Sequence, residues 1–235
     1  MMKKSLFVFA LCLALGAPVM ASSMFIKDGE SAINGSVGYF KGGAGDGTSI
    51  PFGLTYSWNG RLDLFAGLSL ETYNGVSGTS VGAKSSPISL GAEYFILRET
   101  AQLPLSLSVM AGYSFGNLTG DIIDVYTNFG FTDVSLKVNS FKLGVAGYKN
   151  FALDKTSKVV AGAALVNTQS AFEFGYTLSS TATKTNTVEN ATSLVLGGTY
   201  VKELSKNWLA TGGVSGSFSK FAPVWGLSAS ASYKF

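Results

Sequence analysis

The residues that could do chemistry in this chain are few, and their types are restrictive. Among 235 residues there is no histidine and a single cysteine, Cys12. General acid-base and nucleophilic catalysis ordinarily rest on a histidine base beside a serine or cysteine, and histidine-based metal centres need the imidazole itself. What remains are carboxylates and lysines. Asp63, Glu71, Glu93, Lys142 and Glu173 each fall among small or polar residues at every second position, where their charges would face one another across a common interior. Glu93 and Lys142 fall near mid-height of that interior, and their pairing either satisfies two buried charges or selects ions. Three further acids, Asp121, Asp124 and Asp133, crowd one polar segment. They could hold Ca²⁺ or bridge divalent ions, although a solvated acidic loop is the plainer reading.

The elements that would position these charges are strands. From about Ala32 to the C-terminus, apolar residues alternate with Ser, Gly, Thr and Ala, the period of a strand with two unlike faces. Ile50, Phe52, Leu54, Tyr56 and Trp58 form one apolar face; Leu62, Leu64, Ala66, Leu68 and Leu70 form the next, across an Asn-Gly turn that supplies the positive φ of a tight hairpin. Similar stretches centre on 32–40, 88–96, 105–115, 134–145, 158–178, 194–200, 208–218 and 225–235. The count is ten, with eight as the alternative should two merge into longer hairpins. The sixth stretch changes phase, from Val134, Leu136 and Val138 to Phe141, Leu143 and Val145, and a β-bulge near Asn139–Ser140 would absorb the slip.

Composition says what the apolar face meets. Charged residues are 13% of the chain, against about 25% in soluble domains, while 46% are hydrophobic. Beyond the N-terminus no apolar run approaches the roughly 20 residues of a spanning helix. Low charge, 29 glycines and apolar residues dispersed by alternation fit a transmembrane barrel with lipid outside and a polar lumen inside. Connections after the first, third, fifth and seventh stretches read as long and polar. Those after the second, fourth, sixth and eighth are short, and the brief KFAPV segment breaks the pattern. Outward aromatics at strand ends (Tyr39, Trp58, Tyr73, Tyr94, Trp208 and Tyr233 among them) suit a lipid interface.

Residues 1–21 read as a cleaved signal peptide, with Lys3 and Lys4 before an apolar run from Leu6 to Leu15 and a cut after Ala21. Residues 22–31 would be a short periplasmic segment and 32–235 the barrel. Cleavage removes the only cysteine and brings 17 basic residues to 15 against 14 acidic ones, a balance that offers nucleic acid nothing. GGAGDG lacks the Lys-Ser/Thr of a phosphate loop, and NLT and NAT are chance glycosylation patterns.

The C-terminus, VWGLSASASYKF, places Leu227, Ala229, Ala231, Tyr233 and Phe235 on one face and ends on the aromatic. This resembles the terminal signature of bacterial outer-membrane β-barrel proteins. The resemblance implies an all-β, antiparallel up-and-down barrel in the outer membrane, surrounded by lipid and lipopolysaccharide and delivered by the barrel assembly machinery. It implies no cofactor. Barrel enzymes similar in class rely on a histidine or its equivalent, so no enzymatic activity is expected. Two functions remain: a small porin-like channel for ions or small solutes, with Asp63, Glu71, Glu93, Lys142 and Glu173 as lumen charges and inward Phe40, Phe65, Phe95 and Met110 narrowing it; or a closed barrel whose loops bind lipopolysaccharide, host surfaces or a partner protein.

Overall fold

The computed structural model describes residues 29–42, 45–74, 81–220 and 223–235. The expected signal peptide and most of the expected periplasmic segment 22–31 lie outside the described residues. The strands are β1 (Ser31–Gly42), β2 (Gly45–Trp58), β3 (Leu62–Asn74), β4 (Ala83–Ser85), β5 (Ile88–Leu97), β6 (Ser106–Thr119), β7 (Thr132–Ala152), β8 (Ser157–Leu178), β9 (Thr181–Glu203), β10 (Trp208–Ser219) and β11 (Val224–Lys234). Among the described residues one helix, α1 (Asp121–Asn128), lies between β6 and β7.

All pairings are antiparallel, and β1 joins β11 to close the sheet. Closure leaves no open edge within lipid, the condition for a sheet to cross a bilayer. Ten staves result, because β4 and β5 lie end to end. Both pair with β3 and β6 in one continuous register, Glu71 opposite Ser85 and Leu68 opposite Ile88. Pro87, which lacks an N–H, interrupts the line between them. The terminal strand is pinned reciprocally: Ser31 N–H donates to the Phe235 carbonyl at 3.1 Å, and Phe235 N–H to the Ser31 carbonyl at 2.9 Å.

The predicted faces hold. Ile50, Phe52, Leu54, Tyr56 and Trp58 point outward, 40–53% exposed, as do Trp225, Leu227, Tyr233 and Phe235. Asn59 and Gly60 turn with φ of 54° and 58°. Tyr73 is an exception. It sits on the inward parity of β3, is 4% exposed and packs on Phe40 with ring centroids 5.2 Å apart.

Two expectations fail at the loop end of the barrel. The Thr- and Asn-rich stretch 179–190, read as a loop, is mostly strand: Ser179 and Ser180 turn with φ of 49° and 68°, and Leu178 pairs with Thr181. β8 is therefore 22 residues and β9 is 23, about twice the 9–11 needed to cross a membrane. The first polar connection likewise shrinks, with Gly42 opposite Gly45. Backbone ladders need no apolar side chains, so a polar segment beside a strand can extend it. The long connections that remain follow β3 and β6, and the latter contains α1.

The bulge expected near Asn139–Ser140 is absent. β7 pairs with β6 without a break from Ser106–Tyr148 to Leu118–Leu136. The phase of the apolar residues changes because the lumen changes: Leu136 and Val138 face inward, buried, while Phe141, Leu143 and Val145 face outward. The observed irregularity lies instead between Thr132 and Ser135, against β8.

Candidate functional site: the barrel lumen

Inward side chains build the lumen in layers. At the loop end, Phe40, Tyr73, Leu118, Leu136, Val138 and Phe172 belong to one buried apolar cluster contributed from around the barrel. Helix α1 lies against it through Ile122, Ile123 and Tyr126. Tyr126 also meets Phe174 at 4.7 Å between ring centroids, and Phe131 meets Tyr176 edge-on at 4.9 Å. At the end that carries the termini a second cluster contains Phe95, Tyr148, Val160, Val201 and Leu209, with Phe95 and Val201 each 1% exposed.

Between the clusters lies a chamber of about 240 Å³. One wall, from β3, β5, β6 and β7, carries Phe65, Glu71, Glu93, Met110, Lys142 and Tyr148. The opposite wall, from β1, β9, β10 and β11, presents small inward residues such as Ser36, Ser193, Gly213 and Ser228. The chamber exists because the inward residues of that second wall are mostly too small to fill it. Ten staves enclose more than small residues can occupy.

The expected charges separate into distinct arrangements. Asp63, fully buried, meets Arg98 of the β5–β6 connection at 3.4 Å, and the Arg98 guanidinium lies 4.2 Å from the Phe95 ring centroid. Glu93 accepts hydrogen bonds from Ser108 at 2.6 Å and Tyr148 at 2.8 Å. Glu71 accepts one from Tyr73. Lys142 lines the chamber together with both acids, and Glu71 lies within electrostatic reach of it.

Glu173 is not in the lumen. Its neighbour Phe172 takes the inward position, and Glu173 faces out on the extended part of β8, bridged to Lys137 at 3.5 Å and Lys184 at 3.4 Å. Asp121, Asp124 and Asp133 do not assemble either. Asp121 and Asp124 start α1, and among the described residues no three acids gather where a metal could be held. Asp121 instead accepts a hydrogen bond from Gly82 N–H at 3.4 Å.

Sequence reasoning missed Tyr148, since a tyrosine near a strand end reads as an interfacial anchor; its even position in β7, shared with Lys142, was the available signal. Glu189 was missed because it stood in the supposed loop, although it occupies the inward register opposite Ser170. The short connections at the terminal end carry their own polar fastenings. Burial alone would push Glu99 up, but hydrogen bonds from Lys149 and Asn150, at 2.8 and 2.6 Å, outweigh it and hold the carboxyl below its usual range. Hydrogen bonds from Ser157 and Thr156 hold Asp154 well below its own.

This closed antiparallel barrel, with lipid-facing aromatics and a mixed polar and apolar lumen, is the fold of bacterial outer-membrane β-barrels. The translocator domain of autotransporter NalP from Neisseria meningitidis superposes with a TM-score of 0.61 at 12% identity, covering 98% of each chain. The outer membrane protease OmpT from Escherichia coli aligns with a TM-score of 0.44 at 9% identity, over 91% of this chain and 100% of its own. Ail, the attachment invasion locus protein of Yersinia pestis, gives 0.39 at 9% identity, over 88% and 99%. No protein-family model and no curated protein matches the sequence.

Proposed function

We propose that this protein is a closed surface barrel of the bacterial outer membrane, which acts through the structure it raises above the lipid. The observation that carries the reading is the pair of buried apolar clusters, one at each end of the lumen, with α1 lying against the outer one. Ions cross apolar constrictions reluctantly because the layer dewets. The external part is a three-stranded extension of β7, β8 and β9. From Thr181 to Thr192, β9 pairs with β8 only among the described residues, since its pairing with β10 begins at Ser193. An unpaired strand edge offers backbone donors and acceptors to another extended chain. Lipopolysaccharide, a host surface or a partner protein are the candidate contacts, and recognition of Phe235 and its apolar neighbours by the assembly machinery belongs to the same proposal. A non-enzymatic role is supported by the lack of any histidine.

A porin-like channel is the second reading, favoured by the chamber with Glu71 and Lys142 in it. Single-channel recording of the refolded barrel in a planar bilayer separates the two. Electrical silence is expected; discrete, reproducible current steps overturn the closed barrel and make Glu71, Glu93 and Lys142 its selectivity residues. If the barrel is silent, replacing 175–184 with Asn-Gly shortens the hairpin without touching the lumen, and adhesion of cells bearing it should fall. Unchanged adhesion removes the extension from the mechanism.

A further inference from the structure

The central chamber holds features that a merely sealed lumen does not require. Ser193 is 1% exposed and lines it, and its hydroxyl oxygen has no hydrogen-bond partner among the described residues. Buried hydroxyls left unpaired are costly, and native structures ordinarily supply them with a protein group, a water or a ligand. Across the void, Glu93 and Glu71 present carboxylate acceptors and Lys142 an ammonium donor. Phe65 adds an apolar surface. Its ring lies across Gly91, where a Cβ would land 2.1 Å from the ring's Cζ, so the glycine is what allows the ring to lie against the wall.

A guest suited to this lining donates and accepts hydrogen bonds around its whole rim and has one C–H face for an aromatic ring. We infer that the chamber is a binding site for one small polyhydroxylated solute, of the size of a cyclitol or monosaccharide. Each hydroxyl of such a ring is both donor and acceptor, matching the serine wall on one side and the carboxylates and Lys142 on the other. A simple alcohol of the same carbon skeleton would satisfy Phe65 but few of the polar groups. A volume of about 240 Å³ has room for such a ring. The inference holds whether or not the barrel conducts, because it concerns occupancy and not passage.

The test uses two probes with the same six-carbon ring, myo-inositol and cyclohexanol. The protein is refolded in micelles in the presence of each probe, so that sealed ends do not exclude it, free probe is removed, and isotope-filtered NMR reads magnetisation transfer from the protein to the retained probe. Transfer to myo-inositol and not to cyclohexanol is expected. Ser228→Leu, which fills the small-residue wall, should abolish it; Ser215→Leu serves if that variant fails to fold, as read by heat-modifiable mobility. Glu93→Gln should weaken binding by about tenfold, the loss of a charge-assisted acceptor. Equal transfer to both probes, transfer that survives the wall-filling substitution, or none to the wild-type protein each overturns the assignment, the last leaving a chamber of water only.

Discussion

Replacing Phe95 with alanine tests whether the lumen is packed at its terminal end. Phe95 is 1% exposed, its ring centroid is 6.4 Å from that of Tyr148, and the Arg98 guanidinium carbon lies 4.2 Å from it. Removing a buried phenylalanine costs about 3–5 kcal/mol when surroundings relax only partly. Within that, the aromatic pair accounts for about 0.5–1.5 kcal/mol and the cation-π contact for about 0.5–1 kcal/mol. The substituted side chain faces inward, so the lipid-facing Trp58, Trp208 and Trp225, which are the chain's three tryptophans, report unfolding without being touched. Denaturant titration of the protein in vesicles, followed by their fluorescence, should give a midpoint lowered by the equivalent of 3 kcal/mol or more, with unchanged slope. A loss below about 1 kcal/mol, within the range of an exposed substitution, would refute the reasoning. It would mean that this layer is hydrated and that the barrel is open from this end at least as far as the chamber.

Other perturbations probe other layers. Arg98→Ala leaves the fully buried Asp63 carboxylate beside an empty position and should cost about 3 kcal/mol or more in the same titration, whereas adding Asp63→Asn should recover most of it; a double variant as weak as the single one would show that the ion pair is not the cause. Asp154, in the β7–β8 connection, has its carboxyl depressed by Ser157 and Thr156, so its contribution is present above the ordinary carboxylate range and lost as pH falls below about 4. Asp154→Ala should flatten the acid limb of a stability-versus-pH curve, and an unchanged limb would place the acid sensitivity elsewhere. Phe235→Ala preserves both backbone bonds to Ser31 but removes the terminal ring. Spontaneous refolding in detergent should be unaffected while assembly in cells falls severalfold; equal losses in both would make the ring a matter of stability and not of recognition.

The barrel was legible in the sequence because lipid imposes one rule on every stave: the outward residue must be apolar. Ile50 to Trp58 and Trp225 to Phe235 obey it, and no tertiary knowledge is needed to read them. The lumen imposes no such rule. At its two ends the inward residue is apolar as well, which is why Leu136 and Val138 looked like a slipped outward face and Tyr73 like an interfacial anchor. Their meaning depends on Phe40, Leu118 and Phe172, drawn from three other staves and brought together only by closure.

Partnership across the lumen fails to appear in the sequence for a related reason. Glu93, Ser108 and Tyr148 come from three consecutive staves, yet Tyr148 stands 55 residues from the carboxylate that it serves. Lys142 of β7 and Glu71 of β3 face one chamber although β5 and β6 stand between their staves. The extension of β8 and β9 above the lipid is the remaining case. A Thr- and Asn-rich segment has no apolar face to betray a strand, and what holds it is the backbone ladder from Leu178–Thr181 downward. The features on which the proposed functions rest, the chamber and the external edge, are thus the ones whose residues are freed from the lipid rule and fixed by contacts between distant staves.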